Sequence, residues 1–407
     1  MEALSHHNQP GNSVGLHQGP TRSIVHMDLD AFFVSCTLLK MPQMKGKPLA
    51  IGGSSNRGVV SSASYEARHY GVRSGMPTRY ARMLCPDLTV LRGDFDLFSD
   101  YSNTVNEIIA EKAPLFERAS IDEFYMDMTG MDRYHSSILF TRELVKRISS
   151  ETGLPLSFGL SVNKTVAKMC TNYAKPNGQL EIQASQVQPF LDPQSIRSIP
   201  YLGENSFRLL RRMSIKRILQ LRQVPVESLE DLFGKNGISI WKKANGIDNS
   251  PLVPYSERKS VSTECTFDRD TQDLKQLKAV LISMVEKLGF QLRKSQLLCS
   301  TVGVRIRYSN RDTESTQCKI SFTSNDDRLI TKVLELFDRL YHRRMLLRLV
   351  GVKLSNFVRG SHQIDLFTDN TKLINLYEAM DRLKHRYNDA SLVRRAIGMG
   401  SNTKDLS

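Results

Sequence analysis

The sequence predicts an α+β protein of several domains, and three observations carry that prediction. The chain has 407 residues, more than one ordinary domain holds. Strand-like and helix-like runs alternate through roughly the first 180 residues, the pattern of a sheet with helices packed on it. After residue 260 a separate order appears, strand–helix–strand–strand–helix–strand, which suits a compact sheet with its helices on one face. Apolar residues make up 40% of the chain, enough for packed cores. Lysine and arginine total 56 against 42 acids, a net charge of +14. An excess of that size points to a polyanionic partner, nucleic acid or an anionic membrane surface.

The first residues, 1–20, are Gly, His, Asn, Gln and Pro with few large apolar side chains, so a disordered lead-in is expected. No positively charged segment followed by an apolar stretch opens the chain, and no apolar run nears the ~20 residues of a membrane span. A cytoplasmic protein with no membrane association is expected. The six cysteines form no C-x-x-C pair and read as buried small side chains in a reducing compartment.

Ser23 to Asp28 is a short strand pattern, and Asp30 stands where a helix N-cap would precede Ala31-Phe32-Phe33-Val34. Short elements and turns follow from about 40 to 95, among them Leu49-Ala50-Ile51 and Val59-Val60-Ser61-Ser62. Spacing predicts a helix over 103–112, with Val105, Ile108 and Ile109 on one face. A second strand is expected to end at Ser120-Ile121-Asp122-Glu123, with Phe124 to Asp127 continuing after it. Helix over 131–150, strand over 156–161 and helix over 163–173 complete the region. From about 185 to 250 short helices are punctuated by Gly and Pro, and Asn249 to Lys259, with Pro251 and Pro254, reads as a linker. The later order is strand 260–267, helix 272–294, strands 299–308 and 316–323, helix 326–344, strand 347–357, then an amphipathic helix over about 371–385.

Two acidic clusters follow apolar strand runs: Asp28 and Asp30 around Leu29, and the adjacent Asp122 and Glu123. A carboxylate at a strand end is costly to desolvate unless a cation neutralises it. Carboxylates from two strands suit a pair of Mg²⁺ ions, and two such ions suit in-line displacement at phosphorus. Helix caps and surface turns are the plainer reading of the same acids. Gly52 to Gly58 superficially invites a phosphate loop but lacks its Lys-Ser/Thr ending, and is taken as a turn.

Five segments occur in order: Met27-Asp28-Leu29-Asp30-Ala31-Phe32-Phe33, Ser64-Tyr65-Glu66-Ala67-Arg68, Ser120 to Asp127, Ser161-Val162-Asn163-Lys164 and Ala174-Lys175-Pro176-Asn177-Gly178. The set resembles the Y-family, or lesion-bypass, DNA polymerases, most closely the DinB (DNA polymerase IV) branch, over about residues 22–385. The resemblance implies a right-hand polymerase. Its palm would span 21–184 with small fingers inserted at about 34–95, and its thumb 185–250. A linker at 251–259 would lead to a βαββαβ little-finger domain at 260–360, followed by a tail at 361–407. It further implies template-directed, error-prone addition of dNTPs to a primer 3′-end on primer-template DNA, with two Mg²⁺ ions and without proofreading. A monomer is expected.

Residue by residue, Asp28 and Asp122 match the metal-binding aspartates, the Leu29 carbonyl would add a ligand, and Glu123 matches the acid beside the primer hydroxyl. Asp30 shares a strand face with Asp28, yet its place before Ala31 favours capping. Phe33 matches the steric gate, an aromatic ring that leaves no room for a 2′-hydroxyl. The alternative is that Phe32 and Phe33 are both core residues of the first helix. Tyr65, Arg68 and Lys175 match contacts to the incoming triphosphate, and Ser62 is a candidate hydroxyl donor to it.

Ile199 to Gly203, followed by a helix bearing Arg208 and Arg211, resembles the thumb helix-hairpin-helix, with Gly203 at the DNA phosphate. Tyr201 stands where that motif has glycine. Arg305, Arg307, Lys319, Arg348, Lys353 and Arg359 alternate along the last strands and suit a surface lying on a DNA backbone. Gln363-Ile364-Asp365-Leu366-Phe367 resembles a sliding-clamp-binding peptide, with Gln363, Leu366 and Phe367 as the docking side chains. The tail helix also resembles UmuC-type relatives, so a partner-dependent polymerase subunit is the alternative, with a catalytically silent scaffold behind it.

Overall fold

The computed structural model describes residues 22–55, 57–131, 136–255, 257–360 and 371–387. The lead-in at 1–20 and the clamp-like segment at 363–367 lie outside the described residues. The chain divides into two compact units, residues 1–54 with 58–256 and residues 257–407 with the short segment 55–57. Among the described residues no helix is long and apolar enough to cross a membrane.

In the first unit β1 (Ile24–Leu29), fully buried, is followed by α1 (Phe32–Lys40). Next come β2 (Leu49–Gly52), β3 (Val60–Ala63), α2 (Tyr65–His69), α3 (Thr78–Leu84) and β4 (Thr89–Leu91). Strands β3-β2-β4 form a small sheet around its own core of Ala50, Val60, Ala63, Ala67, Val72, Ala81, Cys85 and Leu88. Then follow α4 (Phe95–Lys112), β5 (Phe116–Arg118), β6 (Glu123–Asp127), α5 (Ser137–Thr152), β7 (Leu156–Ser161), α6 (Lys164–Ala174) and β8 (Gln179–Glu181). These strands make a five-stranded sheet, β5-β6-β1-β7-β8.

Strand alternation sorts β1 into two faces. Val25, Met27 and Leu29 join a core with residues of α1, α4 and α5, whereas His26 and Asp28 meet α6 and the turn after it. Gly159 on β7 admits α6 to that second face, because a Cβ there would sit 2.4 Å from the Ala167 carbonyl oxygen.

Two expectations are corrected here. The helix expected over 103–112 begins eight residues earlier, because Asp94 caps it by accepting from the Leu97 N–H (3.2 Å) and Phe98 and Ser102 extend the buried stripe. The second acidic pair opens a strand rather than ending one. Residues 119–122 are the turn between β5 and β6, and the antiparallel register then brings Glu123 opposite Asp28.

Five short helices follow: α7 (Val187–Leu191), α8 (Glu204–Arg212), α9 (Ile218–Arg222), α10 (Val226–Phe233) and α11 (Lys235–Ala244). Their core runs into Val166, Met169 and Cys170 of α6. The first part of the expected linker is bound down rather than loose. Leu252 is buried with Ile24, Tyr125 and Ala167, and the Glu117 carboxylate accepts from the Val253 N–H (2.7 Å) while pairing with Lys164.

The second unit contains β9 (Ser260–Thr271), α12 (Leu274–Lys294), β10 (Leu297–Tyr308), β11 (Thr313–Thr323), α13 (Asp326–Leu340), β12 (Leu347–Arg359) and α14 (Thr371–Tyr387). The sheet order is β11-β10-β12-β9, and one face packs on α12 and α13. Helix α14 is latched there by Arg293, which bonds both Asp326 (2.8 Å) and Asp381 (2.6 Å), and by the buried Tyr377, whose hydroxyl donates to Asp327 (2.8 Å).

Candidate active site

The site sits where the end of β1 meets the start of β6. Asp28 lies opposite Glu123, and the Leu29 N–H donates to the Asp122 carbonyl (3.0 Å). The Ser120 hydroxyl closes the preceding turn, donating to the Asp122 carboxylate (2.5 Å) and accepting the Glu123 N–H (3.0 Å). The carboxylates of Asp28, Asp122 and Glu123 thus stand at one sheet end.

Two lysines balance them. Lys175, in the turn after α6, contacts Asp28 directly, and Lys168, on α6, reaches Glu123 at 2.5 Å. Burial pushes the Asp28 carboxyl above the usual carboxylate range; Lys175 opposes this, and Asp122 and Glu123 reinforce it. Burial pushes Glu123 up too, but the adjacent His26 ring and the Lys168 ammonium hold it well below that range. His26, fully buried, falls to about 4 because burial disfavours its cation. Its Nδ1 meets the Thr171 hydroxyl oxygen (2.9 Å), and that hydroxyl lies within reach of the His26 and Ala167 carbonyls. The His26 Nε2 stands 3.7 Å from Glu123 with no hydrogen-bond partner.

Sequence reasoning missed Lys168 and His26. The available signal was a polar stripe, Lys164, Lys168 and Thr171, at helical spacing along α6 beside the apolar Val166, Met169 and Cys170. Asp30 is a correction. The cap of α1 is Ala31, at φ 44, with no side-chain bond, while the Asp30 carboxylate accepts from the Ser157 hydroxyl (2.8 Å), the Asn177 N–H (2.7 Å) and the Tyr65 hydroxyl (3.4 Å). A left-handed Ala31 turns the chain away before Asp30 can reach the first turn of the helix, which frees its carboxylate for the sheet.

Phe32 is buried in the core and Phe33 is half-buried, stacked on Phe98 with ring centroids 4.6 Å apart and edge-on to Phe95 at 5.7 Å. Only one of the two rings is therefore wholly in the core. Tyr65 and Arg68 lie side by side on α2, with the guanidinium 4.6 Å over the ring. Burial, with Asp30 adding to it, pushes the Tyr65 hydroxyl up to about 12. Ser62 is buried in β3 opposite Ile51.

The acceptors at this sheet end are carboxylate and carbonyl oxygens, the donor chemistry of Mg²⁺, and a buried carboxylate such as Asp28 needs a cation beside it. Among the described residues no three His, Cys, Asp or Glu side chains already converge on one point. Lys175 and Lys168 supply the positive charge for Asp28 and Glu123 instead.

Elsewhere in the first unit, Gly203 precedes α8, where Arg208 pairs with Glu204 (3.1 Å) and Arg211 is exposed. Tyr201 adopts φ 65, in the left-handed region that favours glycine, and the Lys243 ammonium stands 4.8 Å over its ring. In the second unit Arg305, Arg307, Lys319 and Lys353 share the sheet face away from the helices by register. Arg348 falls in the irregularity between Leu347 and Leu349, and Arg359 pairs with Leu297 beyond another at 299–301, so neither continues that row by simple alternation.

Residues 27–172 match the impB/mucB/samB family and residues 258–366 its C-terminal domain. The DNA polymerase IV of Dehalococcoides mccartyi is 34% identical over 375 residues, covering 91% of this chain and 96% of the relative. That of Desulfatibacillum aliphaticivorans is 34% identical over 382 residues, covering 92% and 96%. A solved Y-family DNA polymerase chimera superposes with a TM-score of 0.73 at 27% identity, covering 83% of this chain and all of the other.

Proposed function

This chain belongs to the impB/mucB/samB family, the Y-family DNA polymerases, and on that premise we propose that the sheet end at Asp28, Asp122 and Glu123 is the reaction centre. The protein is a DNA-directed DNA polymerase of the translesion type. The observation that carries the site is the pairing of Asp28 with Glu123 across two hydrogen-bonded strands, beside two lysines.

In our reading Asp28, the Leu29 carbonyl, Asp122 and Glu123 would hold two Mg²⁺ ions. Bound there, the ions supply Lewis-acid stabilisation of the attacking oxygen and the leaving pyrophosphate. The chain's own residues do the rest. Tyr65, Arg68 and Lys175 bind the triphosphate of the dNTP, with Ser62 nearby in β3. Lys175 exchanges its Asp28 contact for phosphate as the nucleotide enters, and Lys168 keeps Glu123 ionised. Phe33, propped by Phe98, presents its free edge to the sugar and excludes a 2′-hydroxyl.

We read the five-stranded sheet as palm, the three-stranded sheet as fingers, α7–α11 as thumb and the second unit as little finger. Gly203, Arg208 and Arg211 then serve one stretch of DNA backbone and Arg305 and Arg307 another, without reading sequence. Gln363, Leu366 and Phe367 would dock on a sliding clamp.

Primer extension on undamaged template tests this reading. The wild type should extend with dNTPs, and Asp122→Ala/Glu123→Ala should lose at least about 10³-fold in rate while still binding DNA. Phe33→Ala, offered ribonucleotides, should gain roughly 5- to 150-fold in their use, the worth of about 1–3 kcal/mol for a hydroxyl denied its hydrogen bonds. Extension surviving in the double variant would remove the site from these residues, and unchanged sugar selection would remove the gate.

A further inference from the structure

Asp30 is almost fully buried and takes no part in the reaction centre as described, yet its carboxylate joins three parts of the first unit. Its Oδ2 accepts from the Ser157 hydroxyl of β7 (2.8 Å) and from the Asn177 N–H (2.7 Å). Its Oδ1 accepts from the Tyr65 hydroxyl of α2 (3.4 Å). The Ser157 oxygen in turn accepts the Gly178 N–H (3.2 Å), so Asp30 and Ser157 together grip the turn at 175–178 by two successive amides. That turn carries Lys175, and α2 carries Tyr65 and Arg68. The backbone of Asp30 is itself fixed: its N–H donates to the Pro155 carbonyl (2.9 Å), and its carbonyl accepts the Ser35 hydroxyl (2.6 Å).

A buried carboxylate with three donors aimed at it is a rigid node, since releasing any one leaves a desolvated polar group behind. We propose that Asp30 is a positioning residue for the incoming nucleotide, holding Tyr65 and the Lys175 turn in the single arrangement that receives the triphosphate. The inference rests on the reading of Tyr65 and Lys175 as triphosphate contacts. Asp30 touches no substrate; it acts by fixing the groups that do, and pre-organisation of this kind is expressed in nucleotide affinity more than in the chemical step.

The test is a single-turnover dNTP titration on primer-template DNA with Asp30→Asn, Tyr65→Phe, the double variant and Lys175→Met. Asparagine keeps the size of the side chain. Its one oxygen can still serve Ser157 and Asn177, but its amide then faces Tyr65 with reversed polarity. Asp30→Asn should weaken the apparent dNTP Kd roughly tenfold, with the maximal rate within about threefold and DNA affinity unchanged. The double variant should be no weaker than the poorer single variant, because both changes act through one contact. An unchanged dNTP Kd in Asp30→Asn, with Tyr65→Phe and Lys175→Met each weakened, overturns the role of Asp30 and leaves the pocket standing. Unchanged Kd in both Tyr65→Phe and Lys175→Met overturns the pocket and the inference with it. A loss in rate, or fully multiplicative losses in the double variant, also overturns it. Should Asp30→Asn fail to fold, Ser157→Ala removes one donor from the same Asp30 oxygen and the acceptor of the Gly178 N–H. A weakened Kd at unchanged rate supports the proposal there too, and an unchanged Kd overturns it.

Discussion

At the end of the five-stranded sheet, Asp28 is buried, Glu123, Lys168 and Lys175 are partly buried around it, and each charge meets its opposite within hydrogen-bond distance. On the open face of the four-stranded sheet, Arg305, Lys319 and Lys353 stand exposed, with Arg307 half-buried, and the ion pair of Arg305 with Glu264 is itself half-exposed. The same elementary charge does different work in the two places. In the buried site a missing partner leaves a desolvated ion, so geometry is over-determined and each residue depends on its neighbour. On the open face water screens each group separately, and what counts is the summed potential offered to a polyanion.

The largest expected effect therefore belongs to the buried pair. Lys175→Met in chelator-treated protein should destabilise the first unit by about 3 kcal/mol at about pH 9, where Asp28 is ionised and loses its counter-ion inside the fold. The loss should be much smaller at neutral pH and below, where the raised Asp28 carboxyl takes a proton instead. Adding Asp28→Asn should recover most of that loss, since no charge is then left unpaired. Denaturant melts of the three variants measure the cycle. Mg²⁺ added to Lys175→Met should raise its midpoint more than the wild type's, the cation taking the place of the ammonium. Additive losses in the double variant would break the contrast drawn between the two faces.

On the open sheet the effect should appear in binding rather than folding. Arg305→Ala/Arg307→Ala should leave the folding stability within about 1 kcal/mol of wild type, roughly the sum expected for one exposed and one half-buried side chain. DNA affinity should fall, and the slope of its logarithm against log salt should flatten by about 0.9 for each phosphate that is no longer neutralised. An unaltered salt slope would mean that this face is not where DNA lies.

This division also governs how far the sequence could be read. Asp28, Asp122 and Glu123 could be singled out because they sit in short motifs that resemble a known family's, and the βαββαβ order was legible because period-two and helical spacing separate cleanly in 260–359. Lys168 and His26 were not, since a lysine or histidine facing inward is recognised only once the partner element is known to lie over it. Asp30 was misread because one left-handed residue, Ala31, redirects its side chain from a helix end to the sheet, and local propensity carries no trace of a partner 147 residues away at Asn177. The linker was half legible: its prolines mark irregular backbone, but the Glu117 contact that fixes Val253 is as long-range as the Asp30 bonds.

Glu264→Gln is the smallest change, and it probes the open face most directly. Glu264 lies across the sheet from Arg305 and holds its guanidinium at 3.0 Å, with the two side chains 39% and 50% exposed. A pair this wet contributes at most about 1 kcal/mol to folding, and often nothing measurable, because water and salt already screen it. Its loss should leave the melting midpoint almost unmoved. The same substitution removes a negative charge from the face we propose lies along DNA phosphates, and it frees Arg305 to make a contact it otherwise shares. DNA affinity should therefore rise, by roughly two- to fivefold at low salt, and the gain should fade as ionic strength increases. Stability unmoved and affinity raised would show a surface tuned by repulsion and attraction at long range. A clear loss of stability would instead make Arg305 and Glu264 a structural pair like Lys175 and Asp28, and the open face would cease to differ in kind from the buried site.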